Sequence, residues 1–123
     1  MDYIDKYSIT TYVDELGNTQ LSMKTFWTKR LNNDGLYKDT EKLFNKNISY
    51  AKTQWIIDFS RNLIITKSIT QYDKDGNVVH SYTYKKFELN WDSINPESNA
   101  EYWSYLVSHK RQLNKMYKEQ KIK

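Results

Sequence analysis

Leu63-Ile64-Ile65-Thr66-Lys67-Ser68-Ile69-Thr70-Gln71-Tyr72, then Asp73-Lys74-Asp75-Gly76-Asn77, then Val78-Val79-His80-Ser81-Tyr82 decide the fold. The first and last runs are rich in β-branched and aromatic side chains, which suit a pleated, half-buried surface. Between them, Asp75-Gly76-Asn77 supplies the positive backbone angles of a tight hairpin turn. The reading is two antiparallel strands, Leu63 to Tyr72 and Val78 to Phe87.

Moving toward the N-terminus, Ser60-Arg61-Asn62 is a short turn. Ser49 to Phe59 before it is a strand with Ala51, Thr53, Trp55, Ile57 and Phe59 on its apolar side. Tyr7 to Val13 and Leu21 to Leu31 form a hairpin around Asp14-Glu15-Leu16-Gly17-Asn18. Their expected inward sets are Tyr7, Ile9 and Val13, and Leu21, Met23, Trp27 and Leu31. Leu36 to Lys46 reads as a loop with one helical stretch. Phe26, Ile56, Ile64, Tyr82 and Tyr84 fall on the face opposite the main apolar set. That face asks for a second layer, from Leu36–Lys46 or from a partner chain.

Moving toward the C-terminus, Asn90 to Ser98 holds a helix start with two candidate caps. Asn95 could cap with Pro96 at the first helical position. Ser98 with Glu101 could form a capping box. The helix is expected to reach about Tyr117, with Trp103, Leu106, Lys110, Leu113 and Tyr117 on one stripe. Lys118 to Lys123 is expected to fray. The fold class is therefore α+β: an antiparallel β-meander of about five strands with a C-terminal helix packed on one face. Residues 1–123 are read as one domain.

Composition narrows the function classes. With 11 Tyr, 4 Trp and 1 Pro, the chain does not resemble a disordered one. A net charge of +4 is too mild to point to nucleic acid. With no Cys, a disulfide frame, a thiolate metal site and a thiol nucleophile are excluded. No apolar run approaches the ~18 residues of a membrane-spanning helix. Met1-Asp2-Tyr3-Ile4-Asp5-Lys6 shows no signal-peptide pattern, which leaves a cytoplasmic chain or a mature exported segment as readings.

Catalytic and metal patterns are weak. His80 and His109 are the two imidazoles, and their spacing matches no zinc motif. Asp73 to Asn77 resembles a fragment of a calcium loop, but it lies between strands and lacks the remaining ligands. Asp58, Glu88 and Asp92 are carboxylates that no spacing singles out as an acid–base pair. An aromatic sheet suggests a single-strand nucleic-acid platform, but the Gly-aromatic signature of an RNA-recognition module is missing. No cofactor is expected.

Several short motifs resemble the bacterial surface-adhesin E-like domain family. They are Phe26-Trp27-Thr28-Lys29-Arg30, Trp55-Ile56-Ile57-Asp58-Phe59, Tyr72 to Val79, Trp91 to Ser98, and Glu101-Tyr102-Trp103, spanning about Tyr7 to His109. The resemblance implies a small antiparallel sheet with a packed C-terminal helix, in an exported or lipid-anchored bacterial protein. The family's adhesin binds host matrix and plasma proteins and forms homodimers, but none of the residues matched here carries that adhesion. Where the family often carries two Cys, this chain has Phe59 and, approximately, Val107, so the tying disulfide is gone.

The leading expectation is a non-enzymatic bacterial binding module, exported, with a protein partner or a second copy of itself. Its contact residues would be Tyr82 and Tyr84 on the sheet, and Lys110, Arg111 and Lys115 on the helix. A cytoplasmic accessory or inhibitor-type protein and a small-ligand carrier are the alternatives.

Overall fold

The computed structural model describes residues 2–33, 35–85 and 90–109. Lys110, Arg111 and Lys115, the helix continuation toward Tyr117, the tail Lys118–Lys123, Phe87 and Glu88 lie outside the described residues. The chain order is β1 Asp2–Val13, β2 Thr19–Leu31, α1 Lys38–Phe44, β3 Tyr50–Asp58, β4 Leu63–Tyr72, β5 Val78–Thr83, β6 Asp92–Ser93 and α2 Asn99–Ser108. The strands form one antiparallel sheet in the order β1-β2-β3-β4-β5, with β6 paired to β4. The expected α+β meander with a C-terminal helix is what forms.

Two of its hairpin turns share one chemistry. In Asp14–Asn18, Asp14 Oδ1 accepts from the backbone N–H of Leu16 at 3.0 Å and of Asn18 at 2.8 Å. In Asp73–Asn77, Asp73 Oδ1 accepts from Asp75 at 2.9 Å and Asn77 at 2.8 Å. Each turn then needs a left-handed residue, supplied by Gly17 at φ +82° and Gly76 at φ +83°. The same Asp-x-x-Gly-Asn spelling folds the same way twice, because a short carboxylate can satisfy its own turn.

The faces are not those that simple alternation predicts. Phe26 is 0% exposed and Leu21 is 88% exposed. Phe26 sits opposite Trp55, and Ile57 opposite Ile64. With Ile9, Ile94, Trp103 and Val107 these residues build the main core. Tyr7, Val13 and Leu31, also expected inside, are exposed. For β1 and β4 the cause is broken register, whereas β2 runs along β3 without a slip and turns its other set of residues to the helix. β1 slips between Asp5 and Thr10 and again between Thr11 and Tyr12, and β3 against β4 slips between Gln54 and Trp55. Each bulge flips the side-chain parity beyond it. Ile65 pairs with Ile56 on one face, whereas Ile69 pairs with Thr53 on the other. Tyr82, opposite Ile69, shares the helix-bearing face with Ile69 rather than opposing the apolar set.

The slip between Thr11 and Tyr12 also bends the first hairpin. Glu15 at its tip lies 3.8 Å from Lys67 on β4, two strands away. Ile56 and Ile65, on the face away from the helices, are buried at this end.

α2 starts at Ser98, the second of the two candidate caps. Ser98 Oγ accepts from Glu101 N–H at 3.2 Å, and the Glu101 carboxylate accepts from Glu97 N–H at 3.2 Å. Its inward residues are Trp103 and Val107. The Trp103 ring lies 5.1 Å from Trp55 and meets Phe26 edge-on at 6.0 Å. The Leu36–Lys46 segment does hold a helix, α1, which buries no residue of its own. It is tied by polar contacts: Glu41 Oε2 accepts from Ile48 N–H at 3.0 Å. Asn32 bridges Leu36 N–H and the Ile48 carbonyl at 3.1 and 2.8 Å. Phe44 stacks on His80 of β5 at 4.9 Å, which places α1 on the same face as α2.

Candidate functional site

Two surfaces concentrate chemistry. The first lies on the sheet face away from the helices, at the end far from the bent hairpin. Tyr50 and Tyr72 face each other across β3 and β4 and stack at 4.9 Å. Lys29 Nζ sits 4.3 Å over the Tyr50 ring and Lys52 Nζ sits 5.6 Å over the Tyr72 ring. Lys29 and Lys52 are themselves opposite one another on β2 and β3. Two strand-pair ladders thus place ammonium groups beside phenol rings, a favourable cation–π arrangement. Tyr3, Asp5 and Trp27 join Lys29, Lys52 and Tyr72 around an open cavity of about 520 Å³. Asp5 is engaged locally, accepting from Tyr7 N–H at 3.0 Å. The Trp27 backbone N–H donates to Ser8 Oγ at 2.8 Å inside the β1 slip.

The second surface is a cleft of about 380 Å³ on the helix-bearing face, between the start of α1 and the start of α2. Thr28, Thr53, Thr66 and Gln71 rise from the sheet, and Tyr37 and Asn99 come from the helix ends. Trp55 and Trp103 wall it, and the Trp55 Nε1 proton is taken by Thr28 Oγ1 at 2.9 Å.

The expected contact residues fall elsewhere. Tyr82 is 41% exposed on β5 and meets Tyr84 edge-on at 5.0 Å. Tyr84 N–H donates to the Lys67 carbonyl at 2.9 Å, and Lys67 Nζ donates to the Tyr84 carbonyl at 3.2 Å. The pair is a small aromatic rim beside β4. Neither residue lines either of the two surfaces above. Sequence reading passed over Lys29, Tyr50, Lys52 and Tyr72. The signal was an i, i+2 spacing of Lys52 with Tyr50, which means nothing until β3 and β4 are placed in register.

Asp58 and Asp73 are each held in a strand-connecting turn. Asp58 is buried at the β3–β4 turn. Burial pushes its pKa up, but hydrogen bonds from Ser60 and Arg61 outweigh this and hold it below the ordinary carboxylate value. Asp73 is held low mainly by the Asn77 N–H, so the calcium-loop resemblance resolves into a hairpin turn. Tyr12 is raised by burial, then by Glu15 and Asp14. His109 stacks on Tyr105 at 4.2 Å, at the end of α2. Among the described residues no group of three or more His, Asp or Glu converges to hold a metal ion. No described helix is long and apolar enough to cross a membrane. No protein-family model, curated protein or solved structure matches this chain.

Proposed function

We propose that this chain is a non-enzymatic binding module that docks an acidic segment of a protein partner on the Lys29–Tyr50–Tyr72–Lys52 face. One observation carries the reading: two lysines and two stacked tyrosines form an open ladder, and Lys29, Lys52 and Tyr72 of that ladder line a cavity. Tyrosine gives rigid contact area with little entropy to lose, and lysine gives the sign of the partner's charge. The resemblance to surface-adhesin E-like domains adds an exported bacterial setting, matrix or plasma proteins as partners, and a homodimeric state. Tyr82, Tyr84 and the helix residues Lys110, Arg111 and Lys115 remain in this proposal as a secondary contact set.

The test is a surface-binding assay of the chain against purified matrix and plasma proteins and against a poly-glutamate peptide. Binding that weakens with salt and falls at least tenfold in the Lys29→Glu/Lys52→Glu variant supports the reading. Binding that the double variant leaves intact refutes it, as does a lack of binding throughout. Light scattering over a concentration series tests the dimer separately.

A further inference from the structure

The cleft between the two helices holds an acceptor that the fold does not use. Gln71 is 7% exposed and lines the cleft. Its Oε1 is the one buried side-chain oxygen or nitrogen among the described residues without a hydrogen-bond partner. Interior polar groups are nearly always paired, because an unpaired one keeps its full desolvation cost. An unmet acceptor in a cleft about the size of a small-molecule site leaves a place for a donor that arrives from outside.

We propose that this cleft is a binding site for a sugar-type ligand, a pyranose-sized polyhydroxylated molecule with one hydroxyl bonded to the Gln71 side-chain amide. A hydroxyl both donates and accepts, so it satisfies that amide with either of its two ends inward. The surroundings select the same chemistry. Thr53, Thr66 and Asn99 add uncharged hydrogen-bonding groups to the lining of the same cleft. Tyr37 and Trp55 offer aromatic carbon for the C–H edges of a ring. Arg30, which has partners of its own, is the sole charged side chain among the described lining residues. A single guanidinium offsets only half the charge of a phosphate dianion or a dicarboxylate. An acyl chain would leave the polar floor unpaired. A nucleobase would want two free ring faces, but the Trp55 and Trp103 indoles lie 5.1 Å apart against each other, and Trp103 also packs on Phe26. The site is on the opposite face of the sheet from the Lys–Tyr ladder and stands independently of it.

The experiment is ¹H–¹⁵N NMR titration of the full chain with glucose, galactose and N-acetylglucosamine. Inorganic phosphate, adenosine monophosphate and decanoate serve as contrasting probes. At least one sugar is expected to shift the Gln71 side-chain amide and the Trp55 indole N–H saturably. Gln71→Met, close in shape and without the acceptor, is expected to keep a dispersed spectrum and an equal or higher melting temperature while weakening the sugar at least tenfold. Thr53→Val, at the same cleft, is expected to weaken it too, and it decides the matter if Gln71→Met does not fold. The proposal is overturned if no sugar gives a saturable shift, if only a contrasting probe does, or if the folded variants bind sugar as well as the parent chain.

Discussion

Replacing Trp103 with Ala tests what holds α2 to the sheet. The side chain is 6% exposed, with Trp55 at 5.1 Å and Phe26 at 6.0 Å from its ring centroid. Aromatic side chains bury on the order of 150–250 Å². At about 25 cal/mol per Å², that area contributes up to about 6 kcal/mol, an upper bound because unfolded chains bury some of it already. Truncations of buried Phe or Trp cost about 3–5 kcal/mol, cavity included. We expect a loss of about 4 kcal/mol, which in a chain of this size lowers the melting temperature by roughly 15 °C. The measurement is urea denaturation followed by far-ultraviolet circular dichroism, with Tyr102→Ala as the control. Tyr102 is 62% exposed on the same helix and should cost less than about 0.5 kcal/mol. A Trp103→Ala loss below about 1 kcal/mol, or equal losses for both variants, would refute packing through the Trp103 face.

Asp58→Ala strips an acceptor from the Ser60 and Arg61 N–H groups and should cost about 1–3 kcal/mol at neutral pH, measured in the same way. Because the folded Asp58 pKa lies below the unfolded value near ~3.9, its contribution is complete above about pH 4. It is lost as the pH falls through the lower folded value. The stability difference between parent and Asp58→Ala should therefore shrink below about pH 4, and a constant difference would contradict this. Ser98→Ala removes the α2 cap and should cost about 1 kcal/mol by thermal melting. Gly76→Ala should cost about 1–2 kcal/mol from backbone conformation alone. An added Cβ meets nothing closer than Tyr50 Oη at 3.9 Å, so a larger loss would mean that the turn itself has failed.

Several features of this architecture are legible in the sequence alone. The Asp-Gly-Asn turn between two β-rich runs fixed the β4–β5 hairpin, since only a left-handed residue closes it. Ser98 and Glu101 marked the start of α2, and Trp103 marked its inward face. Buried Ile94 and Ile48 were passed over, because each lies in a connection where no periodicity speaks for it. Phe26 was assigned to the wrong side for a related reason. Alternation along β2 gives two sets of residues but does not say which set meets the helix. That choice was made by α2, whose Trp103 seats on Phe26 and Trp55.

The candidate sites depended still more on long-range register. Counting back from Asp58 opposite Leu63, an unbroken ladder would set Tyr50 opposite Gln71. The slip near Lys67 sets Tyr50 opposite Tyr72 instead. That one extra residue creates the stacked Tyr pair on one face and turns Gln71 into the cleft on the other. The sequence by itself determined the antiparallel strands, their turns and the capped helix, because those follow from local backbone preference and side-chain period. The tertiary structure alone decided which face each residue joined. A bulge is set by the competing fit of neighbouring strands and the helix, and a shift of one residue reverses every side chain beyond it.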